Sequence, residues 1–209
     1  MAETVALVDY GAGNLQSVAN ALRAAGAEQV VVTSDPRAIR TAERIVLPGV
    51  GAFASCIAAL RAVPQLVEAL EERVMVGGAP FLGICVGMQL LASRGLEHGP
   101  SEGLDWIAGE VRPIETLDPR IKVPHMGWND VGPSPRADVA ALLVPGEAYY
   151  LHSYHFVPDE GRRIAAMTDH GGGVVAAVLQ DNVLGVQFHP EKSQRYGIAL
   201  LERFLAWKP

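Results

Sequence analysis

Residues 80–93, PFLGICVGMQLLAS, join a short apolar run to a helical pattern through a tight turn. The run at residues 80–84 predicts a buried strand, and residues 86–93 predict a helix that begins directly after it. Between the two lies Cys85, with Gly83 and Gly87 two residues away on either side. Glycines at these positions permit the sharp strand-to-helix turn that exposes a nucleophile at the carboxyl end of a strand. This segment, which we call the elbow (residues 83–87), indicates an α/β protein.

Strand and helix patterns alternate on the N-terminal side of the elbow. The predicted elements, in chain order, are strands at residues 4–9, 30–33 and 44–47 and helices at residues 14–25, 52–60 and 64–75. Asn14 is the expected N-cap of the first helix, and Gly26 lies where a C′ glycine belongs. We therefore expect a three-layer α/β fold, with an open, mostly parallel sheet and helices on both faces.

The C-terminal half is richer in strand patterns and turns. Residues 174–179 and 183–186 predict a hairpin, and residues 193–206 predict a final amphipathic helix. We expect these added antiparallel strands to extend the parallel sheet. Because no linker or repeat interrupts the pattern, the chain is predicted to form a single domain over residues 1–209.

The composition is typical of a globular protein and argues against several classes. Hydrophobic residues make up 49% and charged residues 19% of the chain, unlike disordered proteins. The net charge is −6 and lysines and arginines form no runs, so we expect no nucleic-acid partner. We also expect neither a membrane span nor a signal peptide. Two cysteines are too few for a disulfide framework, which favours a cytoplasmic location.

Cys85 is the candidate nucleophile. Its position at the start of the predicted helix favours the thiolate, and the amide N–H of Val86 is suited to bind an oxyanion. The alternative is a buried structural cysteine, which is the commoner role of a lone cysteine. The two flanking glycines favour catalysis. Cys56 has no such flanks within its helical pattern, so we expect it in the core.

His189 is the candidate acid–base partner among six histidines. It follows a predicted strand, and sites in parallel sheets gather at the carboxyl ends of strands, where Cys85 also lies. Glu191, two residues further on, is the candidate carboxylate that orients the imidazole. The alternative is a surface His-Pro-Glu turn.

The remaining histidines are weaker candidates. His152 and His155 are expected to pack near the site, and His98 and His170 to be solvated in glycine-rich loops. No Cys and His residues have the spacing of zinc ligands, so we expect no metal and no other cofactor.

Two glycine turns follow other predicted strands. Gly11 and Gly13 begin like a dinucleotide-binding fingerprint, but Gln16 stands where its third glycine belongs, so nucleotide binding is the weaker hypothesis. The second turn, PGVG, is expected to supply the other half of the oxyanion hole. Its candidate residues are Gly49, Val50 and Gly51. An ordinary strand-to-helix turn is the alternative.

Three of these motifs together resemble the class I glutamine amidotransferase family. Residues 82–91 are similar to the family's nucleophile segment, residues 188–191 (FHPE) to its His/Glu segment, and residues 48–51 to its oxyanion strand. The resemblance implies the flavodoxin-like three-layer fold of that family, a Cys-His-Glu triad and an amide substrate that is L-glutamine.

Four further segments resemble one branch of the family, the glutaminase subunits of imidazole glycerol phosphate synthase in histidine biosynthesis. These segments are residues 9–18 (DYGAGNLQSV), 123–129 (VPHMGWN), 152–154 (HSY) and 185–193 (GVQFHPEKS). The resemblance implies that ammonia passes to a cyclase/synthase subunit, a (β/α)₈ barrel, which makes imidazole glycerol phosphate and AICAR. Val86 replaces the family's commoner leucine, with little expected effect because its backbone N–H acts there.

The resemblance also implies which residues meet the substrate and the partner. The expected glutamine-binding residues are Gly51, Gln89, His152, Ser153 and Tyr154, and the expected partner-facing residues are Asn14, Trp128 and Tyr149. Because the synthase subunit has to lie over Cys85 to receive ammonia, we expect a heterodimer and low activity from the isolated chain.

Other functions compete with this hypothesis. Within the family, the alternative is the glutaminase component of anthranilate, aminodeoxychorismate or pyridoxal phosphate synthesis, against which residues 9–18 and 123–129 argue. Outside it, a cysteine peptidase, a γ-glutamyl hydrolase or a non-catalytic binding module could share the elbow. The joint presence of Cys85, His189 and Glu191 argues against the binding module.

Overall fold

The computed structural model describes residues 3–116 and 118–209. Residues 1, 2 and 117 lie outside this description, and the first two of them belong to the N-terminal segment in which we expect no signal peptide. The strands within the described residues are β1 (Thr4–Val8), β2 (Gln29–Thr33), β3 (Arg44–Gly49), β4 (Phe81–Cys85), β5 (Arg94–Gly95), β6 (Ser101–Glu102), β7 (Gly109–Pro113), β8 (His125–Pro133), β9 (Gly146–His152), β10 (Tyr154–Pro158), β11 (Ile164–Asp169), β12 (Gly173–Gln180) and β13 (Val183–Val186). The α-helices are α1 (Leu15–Ala24), α2 (Pro36–Thr41), α3 (Phe53–Ala62), α4 (Leu66–Leu70), α5 (Val86–Gln89), α6 (Ala137–Ala140) and α7 (Gln194–Ala206).

A nine-stranded sheet forms the centre of the molecule, in the order β2-β1-β3-β4-β13-β12-β11-β8-β9. The strands from β2 to β13 are parallel, and those from β13 to β9 are antiparallel. All residues of β3 and β4 are buried, as their apolar runs predict. The α/β fold with added antiparallel strands in the C-terminal half is confirmed, and a second, four-stranded sheet has the order β10-β7-β5-β6.

The helices cover both faces of the parallel half. The crossover through α1 leads from β1 outwards to β2, whereas the later crossovers through α2, α3 and α4 lead back towards β4. Because such crossovers are right-handed, connections that run in opposite directions along the sheet place their helices on opposite faces. In agreement, α1 packs against α7, whereas α4 contacts both α2 and α3.

The register of the parallel strands brings the predicted motifs to one edge of the sheet. Gly49 at the end of β3 lies beside Cys85 at the end of β4. On the other side of β4, Val186 at the end of β13 lies beside Ile84. The PGVG turn, the elbow and the segment leading to His189 therefore leave the sheet side by side.

The helix after Cys85 is shorter than predicted. It ends at Gln89 instead of residue 93, because the backbone N–H groups of residues 104–107 donate hydrogen bonds to the carbonyls of residues 90–92. One of these bonds joins the Leu104 N–H to the Leu90 carbonyl at 2.8 Å. The captured carbonyls are no longer free for a continuing helix, so the chain turns away.

Other elements differ from the prediction in detail. The side chain of Asn14 makes no capping hydrogen bond, so the predicted N-cap contact is wrong, whereas Gly26 has the positive φ of +96° expected after a helix. Helix α4 ends at Leu70 and continues as a π-helical turn over Glu71–Val76. Among the described residues, no single helix has the length and apolarity of a membrane span, although the bent pair Phe53–Ala62 and Leu66–Val76 would by length and composition alone.

Candidate active site

The backbone of the elbow is strained at Cys85. This residue has φ 54° and ψ −112°, a left-handed conformation that a side chain rarely adopts. It is 4% exposed and lies directly between β4 and α5. Strain at a single residue on a strand-to-helix turn is the geometry of a nucleophile elbow.

The glycines of the elbow are required by close packing. A Cβ atom at Gly87 would lie 1.9 Å from the carbonyl oxygen of Leu47 on β3, and one at Gly83 would lie 2.7 Å from the carbonyl oxygen of Gly87. Neither glycine has a positive φ. Small residues therefore let α5 approach β3 and β4, while the unusual dihedral angles fall on Cys85 itself.

His189 and Glu191 form a buried pair beside the elbow. The Nδ1 atom of His189 lies 2.9 Å from Oε1 of Glu191, and their side chains are 4% and 2% exposed. Burial disfavours the charged imidazole, but the hydrogen bonds and charges of Cys85 and Glu191 outweigh it and raise the pKa of His189 to about 10. The structure thus brings together the three residues predicted as a triad.

The backbone of His189 is held on both sides. Its N–H donates to the carbonyl of Tyr149 at 2.9 Å, and its carbonyl accepts from the hydroxyl of Ser193 at 2.7 Å. The same Ser193 oxygen accepts from the Tyr149 N–H at 2.9 Å. These bonds hold the backbone at His189, just after β13, against β9 and so fix the segment that carries the imidazole beside the cavity.

The PGVG turn is held by two side chains. The hydroxyl of Tyr10 donates to the Pro48 carbonyl at 2.8 Å, and the thiol of Cys56 donates to the Val50 carbonyl at 3.3 Å. Since the two polar groups of a trans peptide point in opposite directions, the N–H of Gly51 faces away from Cys56. Cys56 is 2% exposed, which confirms its predicted place in the core.

A cavity of about 250 Å³ opens above the sulfur. Its lining includes Cys85, Val86 and His189 together with all five residues predicted to bind glutamine, which are Gly51, Gln89, His152, Ser153 and Tyr154. Val50 of the PGVG turn lines it as well. Glu97, Leu151 and Lys192 also contribute, and sequence reasoning did not single them out. A cavity of this size suits a small molecule.

Gln187 is a polar residue of the site that sequence reasoning missed. It is fully buried, its Nε2 lies 3.7 Å from the Cys85 sulfur, and its Oε1 accepts from Gln89 Nε2 at 3.0 Å. Gln89 Nε2 also donates to the Tyr154 carbonyl at 3.0 Å. The sequence feature that could have identified Gln187 is a single polar residue at the end of an apolar strand, two residues before His189.

Histidines form a second polar cluster behind the cavity. Nδ1 of His125 lies 3.0 Å from Nε2 of His152, and Nδ1 of His152 lies 2.8 Å from the Tyr154 carbonyl. Burial lowers the pKa of His125 to about 4 and that of His152 to about 3, so both rings are neutral near pH 7.

The prediction for His170 is wrong, because its ring is half-buried and stacks on His125 with centroids 4.1 Å apart. His98 is exposed, as predicted. His155 is buried in β10 and lies outside the cavity lining. Within residues 3–116 and 118–209, no group of three or more His, Cys, Asp or Glu side chains is arranged to hold a metal ion.

The other glycine turn packs against the site. Gly13, with φ +123°, lies so close to Pro48 that a Cβ atom there would be 3.0 Å from the proline ring. Gly13 therefore brings the chain before α1 onto the PGVG turn, whereas Gly11 has open space around it and supplies the turn with its φ of +87°. Asn14, next to this contact, is exposed.

Exposed apolar side chains surround the cavity mouth. Val50 and Leu151 line the cavity, and Leu151 pairs with Met126 across β8 and β9. Two pairs further along, Trp128 packs edge-on against Tyr149 at 6.2 Å between ring centroids. Met126 and Trp128 are 66% and 48% exposed. We call Val50, Met126, Trp128 and Leu151 the mouth patch.

Comparison with protein families gives one match over nearly the whole chain. The model of the family "Glutamine amidotransferase class-I" matches residues 6–207. Among curated proteins, "Imidazole glycerol phosphate synthase subunit HisH" of Zymomonas mobilis subsp. mobilis is 60% identical over 208 residues, which cover 99% of this chain and 97% of that protein. The protein of the same name from Caulobacter vibrioides is 49% identical over 213 residues, covering 99% and 100%.

Solved structures share the fold at lower identity. A chain described as "Structure of PurLQS from Thermotoga maritima" has a TM-score of 0.74 at 19% identity, with 99% of both chains covered. Another, "Crystal structure of glutamine amidotransferase", has a TM-score of 0.73 at 19% identity, with 96% of this chain and 97% of that one covered. These likenesses concern the fold alone.

Proposed function

This chain belongs to the class I glutamine amidotransferase family, and from that premise we propose that Cys85, His189 and Glu191 hydrolyse L-glutamine to glutamate and ammonia. The observation that carries the proposal is the placement of three groups at one site. A cysteine on a strained elbow lines the same cavity as an imidazole, and Nδ1 of that imidazole is hydrogen-bonded to a buried carboxylate. This is the arrangement that an activated nucleophile needs.

The first step is attack of the Cys85 thiolate on the side-chain amide carbon of glutamine. The pKa of His189, raised to about 10, means that its imidazolium holds a proton near pH 7 that it can later donate. The tetrahedral oxyanion is bound by the N–H of Val86 and by an N–H of the Gly49, Val50 and Gly51 turn. His189 then donates its proton to the leaving nitrogen, the C–N bond breaks, and ammonia departs from a γ-glutamyl thioester.

The second step is hydrolysis of the thioester. Neutral His189 now accepts a proton from water, the water oxygen attacks the acyl carbon, and the C–S bond breaks with its electron pair returning to sulfur. Glu191 holds Nδ1 of the imidazole, which keeps Nε2 directed at the reacting atoms in both steps.

The cavity provides for the rest of the substrate. Because both protons of the Gln89 amide go to the Tyr154 carbonyl and to Gln187, its oxygen is left to accept from the ammonium group of glutamine. Both ring nitrogens of His152 are also engaged, so His152 acts as a wall of the pocket. Gly51 and Ser153 also line the cavity.

The released ammonia passes to a synthase subunit, a (β/α)₈ barrel that makes imidazole glycerol phosphate and AICAR in histidine biosynthesis. Ammonia that escapes into neutral water is protonated to ammonium, which is not nucleophilic, so a docked partner preserves it. The mouth patch, with Asn14 and Tyr149 beside it, is the proposed contact surface. Aromatic and methionine side chains are enriched at protein interfaces, and here they surround the cavity from which ammonia leaves.

The two free cysteines fit a reducing compartment, and we place the reaction in the cytoplasm. The isolated chain is expected to have low activity, because the partner completes the exit for ammonia.

The test is glutamate release by the chain together with its synthase subunit, compared between Cys85→Ala and Cys56→Ser. The Cys85 variant should lose the activity and still bind the synthase subunit. The Cys56 variant keeps a hydroxyl donor for the Val50 carbonyl and should retain most of the activity. Glutamate release by Cys85→Ala at the wild-type rate would refute the proposal.

The choice of partner has its own test. Synthase subunits for imidazole glycerol phosphate, anthranilate, aminodeoxychorismate and pyridoxal phosphate can be added in turn to the same chain. Stimulation of glutamate release by the first alone supports the assignment to histidine biosynthesis, and stimulation by another overturns it.

A further inference from the structure

Gln187 contacts the sulfur of Cys85 but belongs to no part of the triad. Its side chain is fully buried, and both ends of its amide have partners within the site. Nε2 lies 3.7 Å from Sγ of Cys85, and Oε1 lies 3.0 Å from Nε2 of Gln89. A buried amide that is tied at both ends keeps one orientation.

The orientation of this amide follows from the carbonyl of Tyr154. A carbonyl oxygen accepts only, so the Gln89 atom that faces it has to be the amide nitrogen. The second proton of that nitrogen is then directed at Gln187, whose facing atom has to be the amide oxygen. The nitrogen of Gln187 is thereby turned towards Cys85, and it presents an N–H to the sulfur.

The Tyr154 carbonyl is fixed in turn by a second chain of donors. Its other lone pair accepts from Nδ1 of His152, and Nε2 of His152 accepts from Nδ1 of His125. Nε2 of His125 accepts from the amide of Asn129 at 3.1 Å. With both lone pairs used, the carbonyl cannot exchange its partner for another, and the direction of each hydrogen bond up to Cys85 is determined.

We propose that Gln187 is a catalytic residue that stabilises the anionic sulfur of Cys85 by hydrogen bonding, with Gln89 and the Tyr154 carbonyl as its positioning groups. A hydrogen bond to a charged acceptor is stronger than one to a neutral acceptor, so this N–H favours thiolate over thiol. The inference rests on the proposed function, because it assumes that Cys85 is the nucleophile.

The same hydrogen bond assists the second half of the reaction. When water opens the thioester, the C–S bond breaks and the electron pair goes to sulfur, so a donor that already faces the sulfur stabilises the departing thiolate. His189 is then occupied with the proton taken from water. Gln187 is the donor that stays in place through both steps.

The test is the pH profile of Cys85 alkylation by iodoacetamide, measured on the full chain without substrate. Gln187→Met keeps the length of the side chain and removes the N–H. The midpoint of the profile should move upwards by about one pH unit, and the rate at pH values well below the wild-type midpoint should fall about tenfold. Peptide mass spectrometry separates Cys85 from Cys56.

Gln180→Met is the matched control. Gln180 lies at the end of β12, donates to the Trp106 carbonyl at 3.2 Å, and does not line the cavity. Its profile should coincide with that of the wild type. A Gln187→Met profile that also coincides with the wild type would overturn the proposal, even if Cys85 proved essential for glutamate release. Failure of the proposed function alone would also be recognised, because alkylation measures the reactivity of the Cys85 sulfur whether or not the chain hydrolyses glutamine.

A measurement on the wild-type chain covers the case in which Gln187→Met does not fold. The side-chain amide of Gln187, assigned by triple-resonance NMR, should titrate with the same midpoint as Cys85 alkylation. The titration should vanish in Cys85→Ala. The hydrogen bond would be refuted if the Gln187 amide signal did not change with pH at the midpoint of Cys85 alkylation. It would also be refuted if the signal showed the same pH dependence in Cys85→Ala as in the wild type.

Discussion

The elbow and the histidine wall enclose the same cavity but are built in different ways. The histidine wall consists of His125, His152 and the Tyr154 carbonyl. In the elbow, backbone packs on backbone, and Gly87 approaches the Leu47 carbonyl so closely that no side chain fits. In the wall, side chains distant in sequence are joined by hydrogen bonds, as are His125 and His152, 27 residues apart. The position of the nucleophile therefore depends on shape, and the position of the pocket wall depends on polar partners.

This difference determines how each region should fail. Close packing tolerates no added atom, so a single methyl group in the elbow should be more harmful than the loss of a polar group in the wall. A buried hydrogen-bond chain, in contrast, fails when one member loses its partner or becomes protonated.

Gly87→Ala should have the largest effect. Its Cβ would overlap the Leu47 carbonyl oxygen, so α5 has to move away from β3 and carry Cys85 with it. We expect the free energy of unfolding in urea to fall by about 3 kcal/mol and glutamate release to be lost. Gly26→Ala is the control, because that glycine has φ +96° but open space around it. It should cost about 1 kcal/mol and leave the activity intact.

Glu191→Gln should have the next largest effect, a fall in glutamate release of about 10²-fold. The carboxylate helps to hold the pKa of His189 at about 10, so the protonated imidazole persists until the pH rises through that value. In the variant the alkaline decline of activity should begin at lower pH. Glu202→Gln, which alters an exposed carboxylate on α7, should change neither the rate nor the profile. An unshifted alkaline limb in Glu191→Gln would contradict the assigned role.

His125→Phe should have the smallest effect on catalysis. The ring is replaced, but the donor to His152 is lost, so we expect the KM for glutamine to rise about tenfold or less. At pH 7 the free energy of unfolding should fall by about 2 kcal/mol, since a buried acceptor on His152 is left without its partner.

The same variant should respond differently to acid. Burial lowers the pKa of His125 and His152 to about 4 and 3, so the unfolded chain binds more protons below about pH 6.5. Wild-type stability should therefore decline as the pH falls from about 6.5 towards 4, and His125→Phe should decline less steeply. His98→Phe, at an exposed site, should follow the wild type. Equal slopes in all three would show that the histidine wall does not titrate as a buried pair.

Sequence patterns predicted the parallel half well, for a physical reason. Buried parallel strands require continuous apolar runs, and the elbow requires glycines at a fixed spacing around Cys85, so both leave local signatures. The hairpin of β12 and β13 and the buried place of Cys56 were predicted in the same way.

The features that local pattern did not predict depend on contacts between distant segments. The early end of α5 results from hydrogen bonds to residues 104–107. The stacking of His170 on His125 and the contact of Gln187 with Cys85 arise only when β4, β8 and β13 are assembled. No local spacing rule marks a buried glutamine as the partner of a sulfur 102 residues away.

The most direct test of the account is affinity labelling with a chloroketone analogue of L-glutamine, with the synthase subunit bound. The account predicts one modified residue, Cys85, with glutamate release lost in proportion to the labelling and with protection by glutamine. Inactivation that leaves Cys85 unmodified, or glutamate release that persists once Cys85 is fully labelled, would contradict it.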